Sequence, residues 1–325
     1  MTLQYALYIA LGLLGLFVGG NWLVKGAARL ALSLGVSTLV VGLTIVAFGT
    51  SLPELLVSVD AVLQGANDIS IGNVVGSNIA NIGLILGLTA LVFPVPVKAQ
   101  VVKRDLPIML AVSLLIVVLI QDNEISRLEG ALLFGGVVAY TVISYLLSAR
   151  EQRALAAQAD DLDEEEFGAD PRHANRLFEL ARLTVGMVVL VIGANLLVEG
   201  SVNLAIALGV PKLVIGLTLV AVGTSLPELA TTFIASLRKE NDIAVGNIVG
   251  SNIFNILAIL GLTALVKPIG VNQRVLDVDI FVMLVFSLGL LLVVQGGRVT
   301  RWQGGLLLSA YFIFTLWTFA NRGSA

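Results

Sequence analysis

Two six-residue segments, Gly49-Thr50-Ser51-Leu52-Pro53-Glu54 and Gly223-Thr224-Ser225-Leu226-Pro227-Glu228, hold the residues best placed to do chemistry. Each puts a carboxylate in the middle of an apolar stretch. At bilayer depth an ionised carboxylate costs a few kcal/mol or more unless it meets a cation, a proton or a water-filled cavity. Thr50 and Ser51 precede Glu54 by four and three residues, as Thr224 and Ser225 precede Glu228, so hydroxyl and carboxylate oxygens share one face of a near-helical segment. Pro53 and Pro227 lack an N–H and crowd the carbonyls of Gly49 and Gly223. This predicts unwinding around 47–50 and 221–224, with carbonyl oxygens released into the core. A second polar stripe recurs every four residues: Asn73, Ser77 and Asn81, then Asn247, Ser251 and Asn255. Carboxylates, hydroxyls, amides and freed carbonyls are the donors that hard cations select, and Ca2+ takes about six to eight such oxygens.

Each feature has a plainer structural reading. Gly72-xxx-Gly76 and Gly246-xxx-Gly250 are small faces that let spans two and three, or seven and eight, pack closely. A lone serine or asparagine usually bonds its own helix, and a proline commonly marks only a kink. What favours chemistry is Gly, Thr, Ser, Pro and Glu coinciding at one depth, twice. The chain has no cysteine, and its one histidine, His173, falls in a polar stretch, which removes thiolate, disulfide and zinc chemistry. No HExxH pair supports an intramembrane hydrolase, and nothing suggests an enzyme, a cofactor or a nucleic-acid partner. Asp60 reads as a rim residue near the outer mouth, with a place on the transport path as the alternative. Glu199, Asp277 and Asp279 read as span-end residues served by water.

The elements that must position these residues are membrane helices. Of 325 residues 57% are apolar and 13% charged, too few charges for a water-facing surface of this size. Ten spans are expected, near 4–30, 36–63, 69–93, 106–120, 125–148, 177–207, 211–237, 243–266, 276–295 and 302–320. The first has no basic leader and reads as a retained span, not a cleaved signal. Residues 42–95 align without a gap on 216–269 at an offset of 174, with 35 identities in 54 positions. The same offset pairs Asn21, Leu23, Val24, Gly26 and Leu30 with Asn195, Leu197, Val198, Gly200 and Leu204. The expected fold is therefore all-α and integral to the membrane: ten transmembrane helices as two five-helix repeats, 1–148 and 177–325, joined by an acidic linker at 149–176. Because five is odd, the second repeat enters from the opposite side, an inverted topology common in secondary transporters. With the N-terminus outside, 14 of the 19 Lys and Arg residues face the cytoplasm and 5 do not. That bias puts both termini outside a plasma (cell inner) membrane and the linker in the cytoplasm. The linker block Asp160, Asp161, Asp163 to Glu166 reads as solvated, with weak calcium attraction as the sharper alternative.

The paired GTSLPE and GSNIxN segments resemble the alpha repeats of the sodium/calcium exchanger family within the cation/calcium antiporter superfamily, and the prokaryotic ten-span members look most similar. The resemblance implies an antiporter that exchanges Ca2+ for Na+ across the lipid bilayer, with both ions as cargo. The sequence sets no oligomeric state, and a monomer is expected to suffice for transport. It implies a diamond of cation sites at the midplane. Glu54 and Glu228 are shared by both ions there, and Thr50 and Thr224 complete the calcium site. The Ala47 and Ala221 carbonyls serve sodium with Ser51, Ser77, Ser225 and Ser251, and Asn81 and Asn255 take the central position. Some relatives look to have an aspartate where this chain has Asn255, so the core here carries two formal negative charges. Three alternatives stay open: a proton/calcium exchanger, whose relatives look to have a GNxxE-type segment instead, a K+-dependent exchanger, and a passive channel.

Overall fold

The computed structural model describes residues 2–159, 175–210, 221–271 and 278–322. His173, the acidic block from Asp160 to Glu166, Lys212, Arg274 and Asp277 lie outside them. The helices follow the apolar stretches of the sequence. They are α1 (Thr2–Leu34), α2 (Thr38–Thr50), α3 (Leu52–Leu63), α4 (Asn67–Val92), α5 (Leu106–Leu119) and α6 (Arg127–Ala159), then α7 (Arg176–Ala207), α8 (Leu226–Leu237), α9 (Asn241–Val266), α10 (Ile280–Val293) and α11 (Arg301–Arg322). Among the described residues α1, α4, α6, α7 and α9 are each long and apolar enough to cross a membrane, and α2 with α3 makes a sixth candidate bent by 43°. Large apolar side chains such as Leu3, Leu56, Leu128, Phe281 and Trp302 stand exposed on the outer helices. In water that surface would be unfavourable; against lipid it is the expected one. The chain is a multi-pass helical membrane protein.

Burial sorts the helices into centre and periphery. Over their most apolar stretches α4 and α9 are 78% and 89% buried, against 33% for α1 and 28% for both α6 and α7. The central pair carries the small and polar stripe of the sequence, and small residues let backbones come close where lipid supplies no hydrophobic drive between helices. The main apolar core lies around this pair, with Ile82, Ile85, Met109 and Ile116 from one half and Ile253, Ile256, Leu260 and Met283 from the other.

The two halves repeat each other's contacts. Strand β1 (Val95–Pro96) pairs antiparallel with β4 (Arg298–Val299), and β2 (Glu124–Ile125) with β3 (Ile269–Gly270). Shifting β1 and β2 by 174 gives β3 and β4, so exchanging the halves leaves the pairing scheme unchanged. The helix starts match too. Ser126 donates its N–H and hydroxyl to Glu129 at 2.8 and 2.7 Å, and Thr300 does the same to Gln303 at 2.8 and 2.7 Å. These are capping boxes at twin positions.

Three local expectations change. Residues 149–159 are helical, so α6 runs past the predicted span end at 148. The reason lies in Ala149 to Gln158, a run of good helix formers. Ala47–Thr50 stays helical and the break falls at Ser51, because Pro53 sits in the first turn of α3, where no N–H is needed. In the second half Ala221–Gly223 is helical and Thr224 and Ser225 form the turn. The third concerns packing. Gly246 and Gly250 do not bring spans seven and eight together: a Cβ at Gly246 would sit 2.8 Å from the Leu39 carbonyl, on α2. Small residues here join α9 to the opposite half. Gly72 and Gly76 meet no described residue, and the positions that match Leu39 and Leu43 by the offset, 213 and 217, are outside the described set.

Candidate functional site

Glu54 and Glu228, in the first turns of α3 and α8, are 1% and 2% exposed. The bends before each helix turn the two GTS segments across one another. Ser51 donates its hydroxyl to Glu228 Oε1 at 3.0 Å, and Ser225 donates to Glu54 Oε1 at 3.4 Å. The threonines lie crosswise too, Thr50 beside Glu228 and Thr224 beside Glu54, with the Thr50 hydroxyl donating to Asn247. Each half therefore presents its hydroxyls to the other half's carboxylate, and the acids share one site. No Lys, Arg or His side chain among the described residues pairs with either one. Buried carboxylates without a counter-charge are costly in this setting.

The amides of α4 and α9 hold the acids in position. Asn73 Nδ2 donates to the Glu54 carbonyl at 3.0 Å and to Ser58 Oγ at 2.9 Å. Asn247 Nδ2 donates to the Glu228 carbonyl at 3.3 Å and to Thr232 Oγ1 at 3.0 Å, while its Oδ1 accepts from Thr50 at 3.0 Å. These are the stripe residues predicted from the sequence, here bonded to the backbone behind each carboxylate. Ser77 and Ser251 follow one turn later and are buried. Asn81 and Asn255 each open a π-helical turn, Asn81–Leu86 and Asn255–Leu260, a distortion often found at functional sites. Asn255 Nδ2 donates to Asn78 Oδ1 at 3.0 Å, and Asn78 Nδ2 reaches the Asn252 carbonyl at 3.3 Å. Asn78 and Asn252 belong to the GSNI motif but drew no role from it, since nothing in the spacing shows that the two motifs meet.

Several buried oxygens have no hydrogen-bond partner among the described residues: Glu54 Oε2, Glu228 Oε2, Asn81 Oδ1, Asn255 Oδ1 and Ser251 Oγ. Such atoms are rare in a folded interior and each needs an explanation. Carboxylate, amide and hydroxyl oxygens fit a hard cation of the Na+ or Ca2+ kind. The Ala47 carbonyl is less free than the sequence suggested, accepting from Ser51 N at 3.1 Å and Thr50 Oγ1 at 3.3 Å. Ala221 lies in the helical turn before Thr224. Asp60 is exposed and accepts from Gln64 at 2.7 Å, and Glu199 is exposed on α7; neither joins the site. The sequence also gave no sign of two buried acids elsewhere. Glu179 is clamped by Arg29 at 3.3 Å and Arg182 at 3.0 Å, and Asp105 by Arg104 at 3.0 Å.

Fold and site together define a helical membrane protein of two similar halves that join over a pair of buried carboxylates. The profile of the sodium/calcium exchanger protein family matches residues 4–146 and 178–320, and the chain belongs to that family, a family of ion-transporting antiporters. It is 38% identical over 337 residues to the sodium/calcium exchanger MaX1 of Methanosarcina acetivorans, covering 95% of this chain and 96% of that one. It is also 38% identical over 318 residues to the inner membrane protein YrbG of Escherichia coli K12, covering 97% and 96%. Among solved structures it matches the sodium-calcium exchanger NCX_Mj, with a TM-score of 0.81 and 34% identity over 96% of this chain and 98% of that one.

Proposed function

We propose that this protein is a secondary antiporter that exchanges Ca2+ for Na+ by alternating access. The crosswise bonding of Glu54 and Glu228 carries the reading: two acids, no cationic side chain among the described residues, and unpartnered oxygens of the type both ions prefer. Glu54 and Glu228 serve both ions, and Thr50 and Thr224 complete the calcium shell. Ser51, Ser225, Ser77 and Ser251, with the Ala47 and Ala221 carbonyls, serve sodium, and Asn81 and Asn255 lie at the centre. The two ion sets use the same oxygens and exclude each other. An empty core with two negative charges does not cross cheaply between its inward- and outward-facing states, and this couples the fluxes.

The scaffold is read as ten spans in two inverted five-helix repeats, 1–148 and 177–325, with 149–176 between them. The separate family matches to 4–146 and 178–320 support this division, as does the exchange symmetry of the strand pairs. Both termini are placed outside a plasma (inner) membrane, with the name of the Escherichia coli relative supporting that membrane.

The test is isotopic calcium uptake into proteoliposomes, with Na+, K+ and proton gradients imposed one at a time. Uptake is expected with the Na+ gradient and lost in Glu54→Gln and Glu228→Gln. Near-normal exchange in either variant refutes the assignment. Uptake driven by a proton gradient without Na+ makes the protein a proton/calcium exchanger. A requirement for K+ makes it the K+-dependent type, and single-channel currents make it a channel.

A further inference from the structure

The duplication fails in a compensated way one helical turn beyond the Asn73–Ser58 and Asn247–Thr232 bonds. The helices α3 and α4 are joined by three residues, 64–66, and run antiparallel, so Val62 and Ser70 fall at the same level one turn past the Ser58–Asn73 contact. At the twin level of α8 and α9 stand Ser236 and Ala244. Each hairpin thus has one hydroxyl and one small apolar side chain at this level, contributed by opposite helices. Ser70 is fully buried and Ser236 nearly so, and neither hydroxyl has a hydrogen-bond partner among the described residues. Packing does not demand a hydroxyl from either helix, since at each of the two positions the other half carries Val62 or Ala244. A buried hydroxyl left unbonded is unfavourable, yet both halves keep one here by different substitutions.

Both hydroxyls stand on the buried side of their hairpins, between the level of the acids and the hairpin's loop end. Glu228, Thr232 and Ser236 follow at steps of four on the buried side of α8, about 6 Å per step. Beyond them lies a cavity of about 270 Å3 bounded by Pro96, Lys98, Lys239, Glu240, Asn241 and Asp242. Asp242 there accepts from Thr38 at 3.2 Å and pairs with Lys98, tying the mouth to α2. Burial pushes the Glu240 carboxyl above its ordinary range, Asp242 adds to this, and Arg238 opposes it. In the other half the stripe on α4 runs from Asn73 through Ser70 to Asn67, whose Oδ1 is also unpartnered.

We propose that Ser70 and Ser236 are ion-path residues, each offering an oxygen to a partly dehydrated cation as it moves between the carboxylate pair and one membrane face. Ser70 serves the face at the α3–α4 turn and Ser236 the face at the α8–α9 turn, where the cavity lies. The proposal rests on the antiport reading above.

Two measurements test it. Ser236→Val and Ser70→Ala each lower the initial rate of Na+-driven calcium uptake about tenfold, the loss of one well-placed oxygen. Moving the hydroxyl to the facing helix, in Ser236→Val with Ala244→Ser and in Ser70→Ala with Val62→Ser, restores it. Wild-type rates in the single variants, or doubles no faster than singles, overturn the proposal. The second measurement needs no flux. The chain has no cysteine, so Ser70→Cys and Ser236→Cys each carry the sole thiol. They react with a membrane-impermeant cationic methanethiosulfonate from opposite sides of the membrane, each from one side only. Ser113→Cys, buried on α5 at a hydroxyl bonded to the Met109 carbonyl at 2.8 Å, reacts from neither. Labelling of both path thiols from one side, or of neither, overturns the path. Absence of Na+-driven uptake in the wild-type protein defeats the antiport reading alone and leaves the labelling result to stand by itself.

Discussion

At the scale of single residues the two asparagines behind the acids are not equivalent. Asn247 is fully buried and makes three bonds, to the Glu228 carbonyl, Thr232 and Thr50, whereas Asn73 is half-buried and makes two. Asn247→Ala removes all three bonds and leaves the Thr232 hydroxyl without its amide donor in a closed interior. That costs about 1–3 kcal/mol of site organisation, or roughly tenfold or more in calcium affinity. Asn73→Ala costs less, because its side chain is only half-buried and makes one bond fewer. Calcium-dependent thermal stabilisation of the purified variants measures both, and equal losses contradict the asymmetry. Repetition made this site legible in the sequence: Glu54 and Glu228, with their Thr, Ser and Asn neighbours, stand at one offset in matching segments. The crosswise bonds were not legible. Nothing in the spacing of Ser51 and Glu54 says that the hydroxyl serves the acid of the other half, because that follows from how the two bends turn toward each other. Glu179 and Asp105 escaped for a similar reason, each being buried by tertiary contact at the end of an apolar run.

Among the elements, α1 and α7 form the closest pair. Their glycines recur every seven residues, Gly12, Gly19 and Gly26 on one and Gly186, Gly193 and Gly200 on the other. The backbones meet there. A Cβ added at Gly19 would lie 2.5 Å from Leu190 N and 2.7 Å from the Gly186 carbonyl, and one at Gly186 would lie 2.5 Å from Leu23 N. Backbone atoms cannot swing away as a flexible side chain can, so the helices must separate. Gly19→Ala and Gly186→Ala each destabilise the protein by about 1–3 kcal/mol. Gly135→Ala, exposed on α6 with no described atom near its Cβ, stays within about 0.5 kcal/mol of wild type. Thermal unfolding in detergent separates the two outcomes. The seven-residue period was present in the sequence, but glycine spacing alone does not name a partner helix. The same ambiguity explains why Gly246 and Gly250 pack on α2 and not on their own hairpin. Helix positions, by contrast, followed directly from apolar length, and most observed ends lie within a few residues of the expected ones.

For the whole molecule, the proposed alternating access needs a moving body, and the α1–α7 pair is the candidate that the contacts favour. Within the pair, glycine contacts run along both helices, and one end is pinned by Arg29 to Glu179 and by Arg176 to the Ser33 carbonyl at 3.0 Å. Among the described residues its ties to the rest include a bond from Arg238 to Asn21 at 2.6 Å and the packing of Gly20 on Ile234. If the pair slides as one unit past the bundle that holds Glu54 and Glu228, a link inside it is harmless and a link across its border is not. The cysteine-free sequence makes the comparison clean. A bismaleimide joining thiols in Arg29→Cys with Glu179→Cys leaves calcium exchange near wild type. The same linker in Asn21→Cys with Arg238→Cys abolishes it, and exchange returns when a cleavable version of the linker is cut. Exchange that survives the second link, or stops with the first, means that the halves move against each other along a different border, with the carboxylate pair shared across whatever boundary shifts.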